Sequence, residues 1–263
     1  MPSVLCLSGL DPSGHSGISA DMRALNFLGV RCFPVITVLT VQNEKSFSEM
    51  QPVPTEMLQK QLDAILETAT PDAVKIGALG SSDIAALVAG FFEDRGIPIV
   101  LDPVFVSSTG FNLVDDEMIE IYKHDLFPLA RILTPNVQEA ERIAGIQVKN
   151  IDHGRLACQM IYDLGPKYVL LKGGHLEKNR GTDLFYDGND FTVLESEEID
   201  VKARGTGCAF SSLIAGCISF GLGPLEAAKR AKTDMARVLT LSARNNSAVL
   251  QFQEPPKIKK GGW

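Results

Sequence analysis

Two kinds of segment alternate along the chain. Short runs that are apolar at both odd and even positions recur at 4–9 ("VLCLSG"), 33–41 ("FPVITVLTV"), 73–77 ("AVKIG"), 97–102 ("IPIVLD"), 131–135 ("RILTP") and 168–174 ("YVLLKGG"). Apolar side chains on both parities suit parallel strands covered on both faces. Between them lie segments with a single apolar face, at 18–29, 55–69, 83–96, 136–145 and 154–165. Their periodicity predicts helices. Several end in glycine (Gly29, Gly96, Gly145, Gly165), a frequent helix stop. This alternation predicts a doubly wound α/β sheet. The rhythm then changes. Residues 182–196 read as a hairpin turning at Asp187-Gly188-Asn189, and two long helical patterns follow at 206–220 and 224–243. A single domain is expected over 1–245. The Pro-, Lys- and Gly-rich residues 246–263, ending in Trp263, read as a mobile tail.

Composition narrows the function classes. The chain has 263 residues, 45% of them hydrophobic and 22% charged, enough to bury a core without staples. A net charge of −7 with no basic stripe argues against nucleic-acid binding. The five cysteines (Cys6, Cys32, Cys158, Cys208, Cys217) are odd in number and form no C-x-x-C, which argues against a disulfide framework or a zinc site. The N-terminus lacks a basic, then apolar, leader, and no apolar run approaches the roughly 20 residues of a membrane span. These features point to a reducing, cytoplasmic setting with no membrane partner.

Candidate chemistry gathers where strands end, the rim at which open α/β sheets bind ligands. "SGLDPSGHSGISAD" follows the first strand. Its Gly9, Gly14 and Gly17 permit close backbone approach, and Asp21 sits on the helix beyond. Gln42 and Asn43 follow the second strand, and their amides can read a heteroaromatic ring edge. Asp102 ends a buried strand. Asn136 and Glu139 lie three apart at a helix start. They suit either a hydrated Mg²⁺ or a capping box. Lys172 precedes two glycines and His175. The most distinctive stretch is "RGTGC", Arg204 to Cys208, before an apolar helix. The amides of Gly205, Thr206, Gly207 and Cys208 make an anion site there, and the same field is expected to lower the thiol pKa. A buried structural cysteine is the alternative, and it explains Cys217 better than Cys208.

Taken in order, "SGLDPSGHSGISAD", "VITVLTVQN", "VKIGALG", "IVLDPVFVSSTG", "LTPNVQEA", "VLLKGGH" and "GTGCAFSS" resemble the ribokinase-like superfamily. They are most similar to its hydroxymethylpyrimidine kinase/hydroxymethylpyrimidine phosphate kinase branch. The cysteine in "GTGC" is the branch-specific element, since sugar kinases of the superfamily carry Asp there. The resemblance covers about residues 3–243. It implies a three-layer αβα sandwich with a mostly parallel central sheet. It also implies transfer of the γ-phosphoryl group of ATP, with Mg²⁺, to the hydroxymethyl group of a pyrimidine and then to its monophosphate. Cys208 takes the general-base role in this reading, and Gly205, Thr206 and Gly207 the anion hole with it. Lys172, Arg204 and Thr206 fall to ATP phosphates. Asn136, Glu139 and Asp102 fall to the metal, in part through water. Asp21, Gln42, Gly9 and Ala78 line the substrate, with Asp21 near the hydroxymethyl group and Gln42 on the ring edge. Superfamily members are often dimers, though nothing in the sequence marks an interface.

The chain departs from the branch pattern at four places. "GHSG" replaces "GGAG", which brings His15 and Ser16 into a tight turn. Ala78 stands for a methionine, Ser108 for a lysine and Arg204 for a histidine. Arg204 is a candidate to replace the charge missing at Ser108. Vitamin B6 kinase is the competing reading, because Ala78 leaves room for a larger ring. A catalytically silent, ligand-binding relative is the third.

Overall fold

The computed structural model describes residues 1–107, 109–173, 181–197, 199, 201 and 203–253. Their strands are β1 (Ser3–Leu10), β2 (Arg31–Gln42), β3 (Phe47–Pro52), β4 (Ala73–Ile76), β5 (Ile99–Leu101), β6 (Ala130–Leu133), β7 (Val169–Leu171), β8 (Thr182–Tyr186) and β9 (Phe191–Glu195). They form one sheet in the order β3-β2-β1-β4-β5-β6-β7-β8-β9. The body from β2 to β7 is parallel. β3 at one edge and the β8–β9 hairpin at the other pair antiparallel.

Strand parity feeds two cores. Leu5, Leu7, Val74, Ile76, Leu101, Leu133 and Leu171 pack under α2 (Thr55–Leu66), α3 (Ser82–Phe92), α4 (Asp116–Ile121), α5 (Val137–Ala144) and α6 (Ile151–Tyr162). Val4, Cys6, Val100, Ile132 and Leu170 face α1 (Gly17–Phe27), α7 (Thr206–Ser219) and α8 (Pro224–Arg244). This is the expected three-layer αβα sandwich with a mostly parallel central sheet. The strands run apolar at both parities because both faces are covered. Lys75 is the exception. It takes the parity that points at α1 and α7, yet it is fully buried.

Three elements differ from the sequence reading. β3, "FSEMQP", is an edge strand whose Ser48, Glu49 and Gln51 stay exposed, so it shows no apolar signal. α4 begins at an Asp115 cap that accepts from the Met118 N–H, and the chain continues through Tyr122–Leu126 in wide π-type turns. α6 starts at Ile151, three residues early, because Asn150 caps it by accepting from the His153 N–H. The tail also joins later than residue 245. Arg204 N–H donates to Ala248 O at 3.2 Å, Leu250 is buried, and the Phe252 ring lies 5.5 Å from that of Phe27. The physical reason is apolar burial against α1 and α8. Trp263 lies outside the described residues.

Candidate active site

β1 lies between β2 and β4, where the winding of the sheet reverses, and the crevice beyond such a point is where ligands bind in this architecture. The loop leaving β1 is folded around Asp11. This buried carboxylate accepts from the backbone and hydroxyl of both Ser13 and Ser16 at 2.6–3.0 Å. Burial would raise its pKa, but those four hydrogen bonds outweigh it and hold the pKa below the usual carboxylate value. Asp11 was not singled out in the sequence, although the Asp-x-Ser-x-x-Ser spacing is the signal that reveals it. His15 is buried, with Nδ1 3.0 Å from Ser13 Oγ and Nε2 3.6 Å from Glu44 Oε1. The loop then packs against the start of α7. Gly205 caps that helix with φ +78°, and a Cβ there would lie 2.0 Å from His15 O.

No side chain caps α7. The amides of Thr206, Gly207 and Cys208 in its first turn have no intrahelical acceptor by helix geometry, so they face the crevice as an anion site. A Cβ on Gly207 would stand 3.4 Å from Lys172 Nζ and 3.9 Å from Asp102 Oδ2, which places the lysine at the mouth of this site. The Gly17 N–H donates toward the Cys208 thiol. One expectation is overturned here. Burial pushes the thiol up to about 11, against the lowering effects of Lys75 and the Gly17 N–H. Desolvation is the largest influence, so in the ligand-free protein Cys208 is a neutral thiol at pH 7.

Two lysine–carboxylate pairs lie behind α7. Lys172 Nζ donates to Asp102 Oδ1 at 2.5 Å, and Ser211 Oγ lies 3.3 Å from Asp102 Oδ2. Burial would lower the Lys172 ammonium pKa, but Asp102 and Glu139 outweigh it and hold it above its ordinary value. Lys75 Nζ sits 2.9 Å from Asp21 Oδ1 and 3.0 Å from Oδ2, with both side chains fully buried. Ser8 Oγ donates to Asp21 at 2.6 Å and Ser212 Oγ at 2.8 Å. Asp21 is therefore turned inward, its oxygens taken by Lys75 and two serines. It does not line the substrate crevice as expected. A lysine in the middle of an apolar strand offered no hint that it was the partner.

Asn136 and Glu139 form a reciprocal capping box at the start of α5. Asn136 Oδ1 accepts from the Glu139 N–H at 2.9 Å, and Glu139 Oε2 accepts from the Asn136 N–H at 2.7 Å. Glu139 is buried, which raises its pKa to about 7 even with Lys172 opposing. Among the described residues no three His, Cys, Asp or Glu side chains are grouped to hold a metal ion. Direct ligation by Asn136, Glu139 and Asp102 is thus not what the geometry offers. The amide caps a helix and Asp102 holds Lys172. Hard oxygen donors beside the phosphate end of the site still fit a Mg²⁺ that keeps its waters.

Gly9 and Ala78, expected to line the substrate, stand together, with an ideal Gly9 Cβ 3.9 Å from Ala78 Cβ. Gln42 Nε2 donates to Thr40 Oγ1 at 2.9 Å. Arg204 is tied to the turn after β2, donating to Asn43 O at 2.7 Å and lying 3.5 Å from Gln42 Oε1. Its guanidinium thus reaches the turn after β2. Thr206 Oγ1 donates to Ala203 O at 3.2 Å, so its backbone N–H is what it offers a phosphate. Ser108 and His175 lie outside the described residues. Among the described residues no helix is long and apolar enough to cross a membrane.

The sheet order, the glycine-led start of α7 and the lysine beside it define the class, a ribokinase-like kinase fold. The phosphomethylpyrimidine kinase family profile matches residues 11–252, and the chain belongs to that family. Hydroxymethylpyrimidine/phosphomethylpyrimidine kinase of Aquifex aeolicus is 39% identical over 212 residues, 80% of this chain and 83% of the relative. The crystal structure of phosphomethylpyrimidine kinase from Clostridium difficile 630 superposes with a TM-score of 0.81 at 34% identity, covering 90% of this chain and 99% of that one. The ADP complex of Bacillus subtilis pyridoxal kinase gives 0.82 at 31% identity, covering 89% and 90%. The chain spans about half the length of bifunctional thiamine-biosynthesis relatives it also matches, 49% of the one from Geobacter sulfurreducens. Membership of a kinase family carries ATP use with it.

Proposed function

We propose that this chain phosphorylates the hydroxymethyl group of 4-amino-5-hydroxymethyl-2-methylpyrimidine with ATP and then phosphorylates the resulting monophosphate, as a step toward thiamine. The observation that carries the reading is the first turn of α7. There the amides of Thr206–Cys208 and the Cys208 thiol share one turn, and an ideal Gly207 Cβ lies 3.4 Å from Lys172 Nζ. In the reaction, Cys208 first gives up its thiol proton to solvent, and the thiolate then takes the substrate O–H proton as the substrate oxygen attacks the γ-phosphorus. The bond from that phosphorus to the β–γ bridging oxygen breaks, and ADP leaves with the electron pair. Phosphoryl transfer asks the protein mainly for positioning and charge neutralisation. The amides and Lys172 supply both at the transferring group. Magnesium, when bound, neutralises phosphate charge, and Glu139 and Asp102 would reach it through waters.

Gln42 at the end of β2, with Arg204 bonded to it, supports the pyrimidine, whose ring edge needs both donors and acceptors. Ala78 beside Gly9 favours the second reading, a pyridoxal kinase, because it leaves a wall of the ring pocket small. Parallel steady-state kinetics with the pyrimidine alcohol, its monophosphate and pyridoxal decide between them. A higher kcat/KM on pyridoxal than on both pyrimidines would overturn the first reading. ATP consumption absent with all three would mark a silent relative.

A further inference from the structure

α1 and α7 lie against one another with matched turns. Gly17 N–H faces the Cys208 thiol, and one turn further along both helices Asp21 accepts from Ser212. Lys75 stands at the bottom of this contact, bonded to both Asp21 oxygens and to Ser8 Oγ at 2.9 Å. The fold keeps space for it, since a Cβ on Gly77 would lie 2.6 Å from Lys75 Nζ. A fully buried ammonium in the middle of a sheet is costly, and an apolar side chain would fill the site without that cost. The proton-transfer scheme above gives the pair no role.

We propose that Lys75 is a positioning residue for the base: held by Asp21 beneath α7, its buried ammonium supports the Cys208 thiolate that forms before the substrate proton is taken up. The proposal rests on the reading of Cys208 as proton acceptor. The charged groups that act on the thiol are Lys75 from β4, Asp21 from α1, Asp102 after β5 and Lys172 after β7. Lys75 is the largest of the lowering influences on the thiol, and Asp21 opposes it. Removing either member of the pair therefore has opposite consequences.

The test measures iodoacetamide modification of the Cys208 peptide against pH by mass spectrometry, in the ligand-free protein. Cys158 and Cys217 are buried and serve as slow internal references. A neighbouring charge moves a pKa by about one unit or more, so Lys75→Met should slow Cys208 modification at pH 8.5 by about tenfold or more. Asp21→Asn, which leaves the ammonium without its carboxylate, should speed it by a similar factor of about ten. Loosened packing would move both variants the same way, so shifts of one sign, or none, overturn the proposal. If Lys75→Met does not fold, the comparison passes to Asp21→Asn against the neutral pair Lys75→Met/Asp21→Asn. Modification must then slow about tenfold on losing the ammonium, and equal rates overturn the proposal. Kinase activity of Cys208→Ala is measured separately. Full activity there removes the base reading while leaving the modification result intact, so the two failures are told apart.

Discussion

Replacing Gly205 with alanine tests the central contact of the site. The residue has φ +78°, a conformation that costs an L-residue about 1–2 kcal/mol. Its new Cβ would lie 2.0 Å from His15 O, where ordinary contacts begin at 3.4 Å. The loop after β1 and the start of α7 must then part by about 1.4 Å. The loop resists, because four hydrogen bonds to Asp11 and the Arg23 bond to Gly14 O at 2.6 Å hold it. Strain of this kind adds about 1–3 kcal/mol. At about 2–4 °C per kcal/mol for a chain of this size, Gly205→Ala should lower Tm by roughly 4–20 °C. Displacing the amides and thiol by about 1 Å should cost kcat on the order of a hundredfold. Thermal melts at neutral pH and steady-state kinetics under saturating ATP give both numbers. A variant with wild-type Tm and kcat would refute the reasoning that this contact fixes the anion site.

Two further outcomes follow from the charges. Glu139 titrates at about 7 in the folded protein, against its ordinary 4.5, so its protonated form stabilises the fold below pH 4.5 and that stability is lost as pH rises through 7. The loss is at most about 3 kcal/mol, and Glu139→Gln, which keeps the capping box, should flatten the decline in denaturant midpoint between pH 4.5 and 7. Arg204→Ala should raise KM for the pyrimidine about tenfold or more while leaving KM for ATP within a factor of about two, since its charge-assisted bonds go to the substrate-side turn. The reverse split would assign Arg204 to the phosphates.

The sheet was legible because both of its faces are covered. Runs such as "VLCLSG" and "YVLLKGG" had to be apolar at both odd and even positions. β3 was not legible, because an edge strand with exposed Ser48, Glu49 and Gln51 has no buried face to record. At the site, glycines before Cys208 marked the anion-binding turn, since local backbone geometry is written in local residue types. The partners of Asp21 and Asp102 were hidden for the opposite reason. Lys75 and Lys172 lie 54 and 70 residues away along the chain, and only the sheet order brings them into contact. Desolvation of Cys208 is likewise a property of the assembled layers, which is why a helix start alone gave the wrong direction for its thiol.

Ser211 and Ser212 approach different carboxylates, Asp102 and Asp21, from adjacent positions on one helix. Neighbours on a helix diverge by about 100° around its axis. A roll of α7 that relaxes one contact therefore strains the other, and the helix is clocked at a single azimuth. The thiol and the anion-binding amides ride on that clocked helix and cannot be retuned one at a time. Under the proposed assignment, adaptation to a new ring falls on parts outside it, the β2–β3 turn with Gln42 and the short wall at Ala78. Chemistry and selectivity are thereby separated in the fold, and a lineage could exchange one heterocycle for another without disturbing the machinery of transfer.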